Sequence, residues 1–269
     1  MPELPEVEIV CRMLSNEILG KTILKVQINR YDLRTQITKN LDEVIQGHYI
    51  SKIIRKGKYI VFILSNQYYV IIHLGMSGTL LCDHNYATAK HNHVLFFLSD
   101  NKLLIFNDPR RFGLITLLNH KQYLEFFKDF GVDPLSDNFN TEYLYSYFNR
   151  KTTIKSLLMN NKIVSGIGNI YAIEGLFTAK VLPTRLTTNI SFVECKAIIQ
   201  SVKNILLLSI THGGSSIKDY RSPTGIKGNF QNYFSVYNRA GQLCYICNNQ
   251  IAIIKQHGRS TFLCYKCQF

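Results

Sequence analysis

Acidic residues are scarce in this chain. Only 18 Asp and Glu stand against 31 Lys and Arg in 269 residues, a net charge of +13. That deficit points to a polyanionic partner, of which nucleic acid is the commonest. It is uneven: residues 213–269 hold seven Lys/Arg and one acid, Asp219, and so carry +6 of the +13. No run of about 18 apolar residues occurs, which excludes a bilayer-spanning helix. The opening Met-Pro-Glu-Leu-Pro-Glu-Val-Glu lacks the basic start of an export signal, so a cytoplasmic protein is expected. No internal repeat or low-complexity tract is present, and 46% hydrophobic residues exclude a disordered tail protein. A disulfide framework is missing as well. Seven cysteines is an odd number, and Cys11, Cys82 and Cys195 stand single, as suits a reducing compartment.

Local patterns suggest several textures in order. A first helix is predicted from Pro5, with Glu6 and Glu8 at the positive end of its dipole and Gly20 as C-cap. Val7, Val10, Leu14 and Ile18 fall on one stripe. Short β-type runs follow at 22–28, 50–55, 59–64, 68–74, 94–98, 102–106 and 114–118. Many short strands without alternating helices argue for an antiparallel sandwich or barrel. After Gly131-Val132-Asp133-Pro134 helical patterns are expected at 141–149, 152–160, 170–179 and 191–210. Ser165-Gly166-Ile167-Gly168-Asn169 reads as a turn between two of them. The stretch 213–232, rich in Gly, Ser, Pro and Asn, is expected to be a mobile loop.

Cys244 and Cys247, then Cys264 and Cys267, form two C-x2-C pairs with sixteen residues between them. Four thiolates close a tetrahedral Zn2+ shell, with iron as the minor competitor, and strands are expected at 251–254 and 261–263. Such a closed site builds structure and does no chemistry. Within the ribbon Arg259 is either part of a solvated hairpin face or a guanidinium for phosphate. Arg110 and Arg111, beside Phe112, allow two readings: a loop with structural salt bridges, or phosphate contacts with a wedge for a duplex. Met76 reads as core on its own. His91 and His93 have no third ligand at metal-binding spacing and read as surface or phosphate-contacting. Pro2 becomes a secondary amine once Met1 is removed. An α-amino pKa near 7.7–8.0 leaves an unprotonated fraction at neutral pH. Attack on a sugar aldehyde carbon would give an iminium that cannot lose its charge by N-deprotonation, with Glu3 alongside for proton transfer. The bland alternative is a frayed terminus.

Together these motifs carry more than each alone. Pro-Glu-Leu-Pro-Glu-Val-Glu at 2–8, Lys-Gly-Lys-Tyr at 56–59, His-Leu-Gly-Met-Ser-Gly at 73–78, Asp-Pro-Arg-Arg-Phe-Gly at 108–113, Gly-Ile-Gly-Asn-Ile-Tyr at 166–171 and the terminal ribbon occur in this order. The ordered set resembles bacterial formamidopyrimidine-DNA glycosylases, bifunctional glycosylase/AP lyases for oxidised purines, from residue 2 to residue 268. The resemblance implies a multi-domain α+β protein. Residues 1–131 would form an N-terminal catalytic antiparallel β-sandwich with flanking helices. Residues 132–232 would form a helix–two-turn–helix DNA-binding domain with a lesion-capping loop, and 233–269 a zinc ribbon with one structural Zn2+. Damaged double-stranded DNA would lie in the basic cleft between them, bound by a monomer in the cytoplasm, at the nucleoid.

By the same resemblance Pro2 is the nucleophile that attacks the sugar C1′ and forms the Schiff base, and Glu3 the acid assisting base loss and ring opening. Lys58 serves β-elimination, and Arg259 serves δ-elimination and phosphate binding. Met76, Arg110 and Phe112 fill the gap left by the extruded nucleotide. His91, Arg111, Arg150, Lys155 and Asn169 match or neighbour contacts to the DNA backbone, Lys218 is a further DNA-binding residue, and the loop after it resembles the segment that closes over the flipped base. Flipping is required because a paired base shields its own glycosidic bond. Asn248, Leu243 and Asn238 depart from the family pattern of Gly, Pro and Gly. Asn tolerates the left-handed conformation, so the knuckle at Asn248 should survive. Two rivals remain: the sister branch for oxidised pyrimidines, and a non-catalytic zinc-ribbon DNA-binding protein. Leu4 and the Met76, Arg110, Phe112 set argue against the first, and intact Pro2, Glu3 and Lys58 against the second.

Overall fold

Pro5 and Glu6 start a helix where the sequence places one. In the computed structural model, which describes residues 1–82, 89–215 and 228–269, α1 spans Leu4–Ile18 with Glu3 as its N-cap. Its buried stripe of Val7, Val10, Cys11, Leu14 and Ile18 is the apolar face that 3.6-residue periodicity demands. The chain divides into two units, Met1–Lys128 with Gly213–Asn229, and Asp129–His212 with Phe230–Phe269.

In the first unit β1 (Ile23–Ile28), β6 (Asn92–Leu98), β7 (Leu103–Asn107) and β5 (Thr79–Cys82) form one sheet in that order. A second sheet runs β2 (Ile50–Lys56), β3 (Tyr59–Leu64), β4 (Tyr69–His73), β8 (Leu114–Leu118). All pairings are antiparallel. Side chains alternate with period two, so Ile60, Phe62 and Leu64 of β3 join Val94, Phe96 and Leu98 of β6 and the α1 stripe in one core. A one-residue slip would turn Phe62 and Phe96 outward, which fixes the register. The other face of β3 and β4, with Val61, Tyr69 and Ile71, is covered by Tyr123, Phe126 and Phe127 of α3 (His120–Phe127). A short α2 (Leu41–Ile45) adds Leu41 and Ile45 to the main core.

The second unit contains α4 (Thr141–Tyr145), α5 (Ile154–Leu158), α6 (Asn169–Thr178) and α7 (Phe192–Thr211). Every residue of α6 from Ile170 to Phe177 is buried, as expected of a helix packed on all sides. A Cβ on Gly175 would lie 2.7 Å from Val202 Cγ2, so glycine permits the close approach of α7. Serine at 191 and Glu194 cap α7 reciprocally, a capping-box start. The ribbon strands β9 (Ala252–Gln256) and β10 (Arg259–Leu263) pair antiparallel and pack with Ile173 and Phe177 of α6.

The helices expected at 141–149 and 152–160 are shorter than their periodic patterns, because turns at 146–150 and 159–160 close them. Part of the stretch expected as a mobile loop is ordered. Ser215 is buried, and Phe230–Tyr233 forms a turn of 3-10 helix with Phe230 only 1% exposed. Lys218 and the proposed capping segment lie outside the described residues. Among the described residues no helix is long and apolar enough to cross a membrane.

Candidate active site and nucleic-acid interface

The N-terminus is fixed where the frayed-end reading would leave it loose. Pro2, Glu3 and Glu6 are all buried. The Glu6 carboxylate accepts the Glu3 N–H at 2.8 Å, and its other oxygen accepts the N–H and hydroxyl of Ser215 at 2.8 and 3.0 Å. Glu6, read in the sequence only as a helix-dipole partner, thus holds the residue next to Pro2 and ties it to Ser215, 209 residues further on. Only a buried carboxylate with several donors in reach signals such a role, and spacing does not reveal it.

Lys58 lies in the two-residue turn between β2 and β3, since Lys56 pairs with Tyr59. Arg55 fixes this turn by bonding Glu8 of α1 at 2.9 Å and the Gly57 carbonyl at 3.3 Å. Burial pushes the Glu8 carboxyl up, but hydrogen bonds from Arg12 and Arg55 outweigh it and hold the group below its usual range. His73 was not singled out from the sequence, yet it stands opposite Tyr59 in the β3–β4 register. Burial, and then the charges of Lys58 and Arg34, pull its pKa down to about 4. The ring is therefore neutral, and its Nδ1 accepts the Gly75 N–H at 2.9 Å.

That bond begins the loop carrying Met76. Gly75 takes φ +62°, and a Cβ there would lie 2.4 Å from the Phe112 carbonyl carbon, so only glycine fits. Met76 and Phe112 are 42% and 43% exposed, which removes the core reading of Met76. The Arg110 guanidinium lies 4.8 Å from the centre of the Phe112 ring, a cation–π arrangement. Arg111 takes φ +57° and pairs with Asp32 at 3.1 Å, both side chains being largely exposed. Such a pair is screened by salt and easily exchanged for phosphate. A cavity of about 460 Å³ is lined, among the described residues, by Arg30, Lys90, His91, His93 and Arg111, with Asn and Pro and no acid beside them. His93 is buried and donates from Nε2 to the Asp108 carbonyl at 2.8 Å, so it is a structural group and neither surface nor metal ligand.

In the second unit the β9–β10 hairpin ends on His257 and Gly258, both with positive φ (48° and 75°), the pairing that a tight two-residue turn needs. Arg259 follows, exposed. Two bonds fix the strand behind it. Lys155 Nζ, on a residue 2% exposed, donates to Thr261 Oγ1 at 2.6 Å, and Asn169 Nδ2 donates to the Ser260 carbonyl at 2.9 Å. Asn169 is the first residue of α6, and a helix N-terminus favours phosphate. A cavity of about 370 Å³ beside them is lined by Thr152, Lys155, Ser156, Gln256, His257 and Arg259. Asn169 Oδ1 and Gln256 Oε1 are buried and have no hydrogen-bond partner among the described residues. Arg150, exposed, lies over the Tyr147 ring at 4.8 Å.

The four ribbon sulfurs of Cys244, Cys247, Cys264 and Cys267 lie within 4.8 Å of one another. Cys244 Sγ is 3.8 Å from Cys267 Sγ, and Cys247 Sγ is 3.4 Å from Cys264 Sγ. These distances are far beyond a disulfide bond and near the roughly 3.8 Å edge of a tetrahedron with 2.3 Å metal–sulfur bonds. Backbone and side-chain hydrogen bonds from Asn249 lower the Cys247 thiol to about 6, while burial and neighbouring sulfurs push Cys264 and Cys267 up. Sulfurs so close resist ionising together without a cation, so the set fits a divalent metal. Asn248 and Asn238 take φ +58° and +60°, adopting the conformations that the replaced glycines would supply. Glu174 of α6, 1% exposed, accepts the N–H groups of Ser235, Val236 and Tyr237 at 2.9, 3.0 and 2.7 Å, fastening the ribbon's start to the helix.

Comparison with known proteins matches residues 1–115 to the formamidopyrimidine-DNA glycosylase N-terminal domain and 130–221 to its H2TH domain. The formamidopyrimidine-DNA glycosylase of Wolbachia pipientis subsp. Culex pipiens is 49% identical over 100% of both chains. The chain belongs to the formamidopyrimidine-DNA glycosylase family. Two Lactococcus lactis structures of that family are similar over 99% of both chains. One, a complex with DNA containing an abasic site, has a TM-score of 0.91 and 33% identity. The other, a complex with DNA containing an oxidised pyrimidine, has a TM-score of 0.90 and 32% identity.

Proposed function

We propose that the protein is a base excision repair enzyme that removes oxidised purines, 8-oxoguanine and formamidopyrimidines, from duplex DNA and then nicks the strand. The observation that carries the reading lies at the start of α1: Pro2 and Glu3 are buried, and the Glu6 carboxylate holds the Glu3 N–H, which supports a nucleophile in a set position and not a frayed terminus. After loss of Met1 the Pro2 nitrogen attacks C1′, giving up its own proton, and the damaged base leaves with a proton; the C1′–O4′ bond then breaks, O4′ takes a second proton and the iminium forms, with Glu3 the nearby acid for both departures. The iminium then acts as an electron sink. Loss of a C2′ proton, assigned to Lys58, expels the 3′ phosphate, and a second elimination assisted by Arg259 expels the 5′ phosphate.

Met76, Arg110 and Phe112 would occupy the gap in the stack, and His91, Arg111, Arg150, Lys155, Asn169 and Lys218 would serve DNA binding. For Lys155 the bond to Thr261 supports an indirect part, holding the strand behind Arg259. The four cysteines would hold Zn2+, whose closed shell orders the ribbon and leaves no coordination position for chemistry. The protein would act as a monomer in the cytoplasm, on nucleoid DNA. A second reading, action on oxidised pyrimidines, draws support from the Lactococcus complex with such DNA. Single-turnover cleavage of duplexes bearing 8-oxoguanine, a formamidopyrimidine or an oxidised pyrimidine, with product ends identified, tests the proposal. Faster excision of the purines with phosphate at both ends of the gap is expected. Cleavage of pyrimidine lesions alone, or no cleavage, overturns it.

A further inference from the structure

We infer that Asp108 is a positioning residue for gap filling: its buried carboxylate ties the Met76 loop to the Arg110–Phe112 loop, so that the three side chains enter DNA as one preset wedge. The inference rests on the gap-filling role proposed above. Asp108 is fully buried. One carboxylate oxygen accepts the Ser77 hydroxyl at 2.7 Å, from the Met76 loop, and the other accepts the Gly113 N–H at 2.7 Å, just beyond Phe112. A carboxylate offers acceptors in both directions at once, and charge shortens and strengthens both bonds. Further contacts close the junction. The Arg110 N–H donates to Ser77 Oγ at 3.3 Å. The Asp108 carbonyl accepts His93 Nε2–H at 2.8 Å and the Arg111 N–H at 3.2 Å. Gly75 lies against the Phe112 carbonyl with no space for a Cβ. The loops are thus cross-linked at their bases while Met76 and Phe112 stand exposed at their tips.

Inserting side chains between bases works against stacking. Loops that yield under that load would lose base extrusion while the chemistry at Pro2 stayed intact. Geometry also orders the variants. In Asp108→Asn the amide oxygen can keep the Gly113 N–H while the NH2 donates to Ser77 Oγ, so both loops remain joined. Asp108→Ala breaks both arms, and Ser77→Ala breaks one without touching a charge.

The test compares two single-turnover rates for each variant of the full chain. One is excision of 8-oxoguanine from duplex DNA, which requires extrusion. The other is nicking at a preformed abasic site in single-stranded DNA, where no stack has to be replaced. Asp108→Ala is expected to slow excision at least tenfold and nicking less than threefold. Ser77→Ala should fall between it and wild type, and Asp108→Asn should recover most of the excision rate. If Asp108→Ala does not fold, Ser77→Ala and Asp108→Asn carry the test. Equal loss of both rates in Ser77→Ala overturns the inference, because it shows general damage to the site. Unchanged excision in both Ser77→Ala and Asp108→Ala, with Met76→Ala and Phe112→Ala slow, overturns the positioning role alone. If Met76→Ala and Phe112→Ala also excise normally, the gap-filling reading itself fails.

Discussion

Removing the Glu174 carboxylate should loosen the metal ribbon from α6. Three backbone N–H groups, of Ser235, Val236 and Tyr237, end on this one buried side chain. A buried donor left without a partner costs about 1–3 kcal/mol. Three of them give roughly 3–9 kcal/mol, and water entering the space left by Glu174→Ala brings the expectation to about 3–5 kcal/mol. Glu174→Gln is a sharper probe. Its single amide oxygen can keep Val236 and Tyr237, which share Oε1, while its NH2 faces the Ser235 N–H. One donor is lost, about 1–3 kcal/mol. Amide hydrogen exchange at 235–237 in the metal-loaded chain reads the opening directly, and DNA affinity reads its consequence through Arg259. If exchange there accelerates less than tenfold in Glu174→Ala, about 1.4 kcal/mol, the fastening role is wrong. It is equally wrong if Gln is as damaging as Ala.

Metal analysis should find one Zn2+ per chain, and chelation or Cys247→Ser should weaken DNA binding more than it disturbs the sandwich, whose core is separate; active protein without zinc would contradict this. His73 should remain neutral down to about pH 4. Because its folded pKa lies below the unfolded value near 6.5, the stability it contributes is complete above pH 6.5 and is lost as pH falls toward 4; an NMR titration midpoint near 6.5 would refute this. Excision of 8-oxoguanine should be faster opposite cytosine than opposite adenine, since the donor-only Arg110 guanidinium suits the two acceptors of cytosine. With about 1–3 kcal/mol at stake per unsatisfied group, the preference should be about fivefold or more and vanish in Arg110→Ala. A full preference in the variant would remove Arg110 from this role.

Composition made the strands legible, and periodicity the α1 stripe. The run Tyr59–Leu64 is apolar throughout, so the sequence marks a strand there but not that Ile60, Phe62 and Leu64 face the main core while Val61 and Ile63 face the cluster under α3. Among the described α-helices and strands, α2, β5 and α3 escaped because they are short or weakly patterned. For α3 a signal existed, since Asn119 and Gln122 cap each other with bonds of 2.9 Å, the spacing of a capping box. Motif residues were legible by resemblance, but the groups that hold them were not. Glu6, Asp108 and Glu174 each collect donors from segments distant in sequence, and nothing local marks a carboxylate that will be buried. His73 and His93 are similar, since a histidine's burial is decided by strands paired with its own. For Lys155, expected by resemblance at the DNA backbone, the bond of its buried amine to Thr261, 106 residues further on, had no local signal either.

The most direct test of the account is covalent capture. Borohydride reduction during reaction with an 8-oxoguanine duplex should trap one protein–DNA adduct, and peptide mapping should find the added mass at Pro2 in chains lacking Met1. Capture at Lys58 or another lysine with Pro2 unmodified, or turnover by chains that retain Met1, would contradict the mechanism proposed for this site.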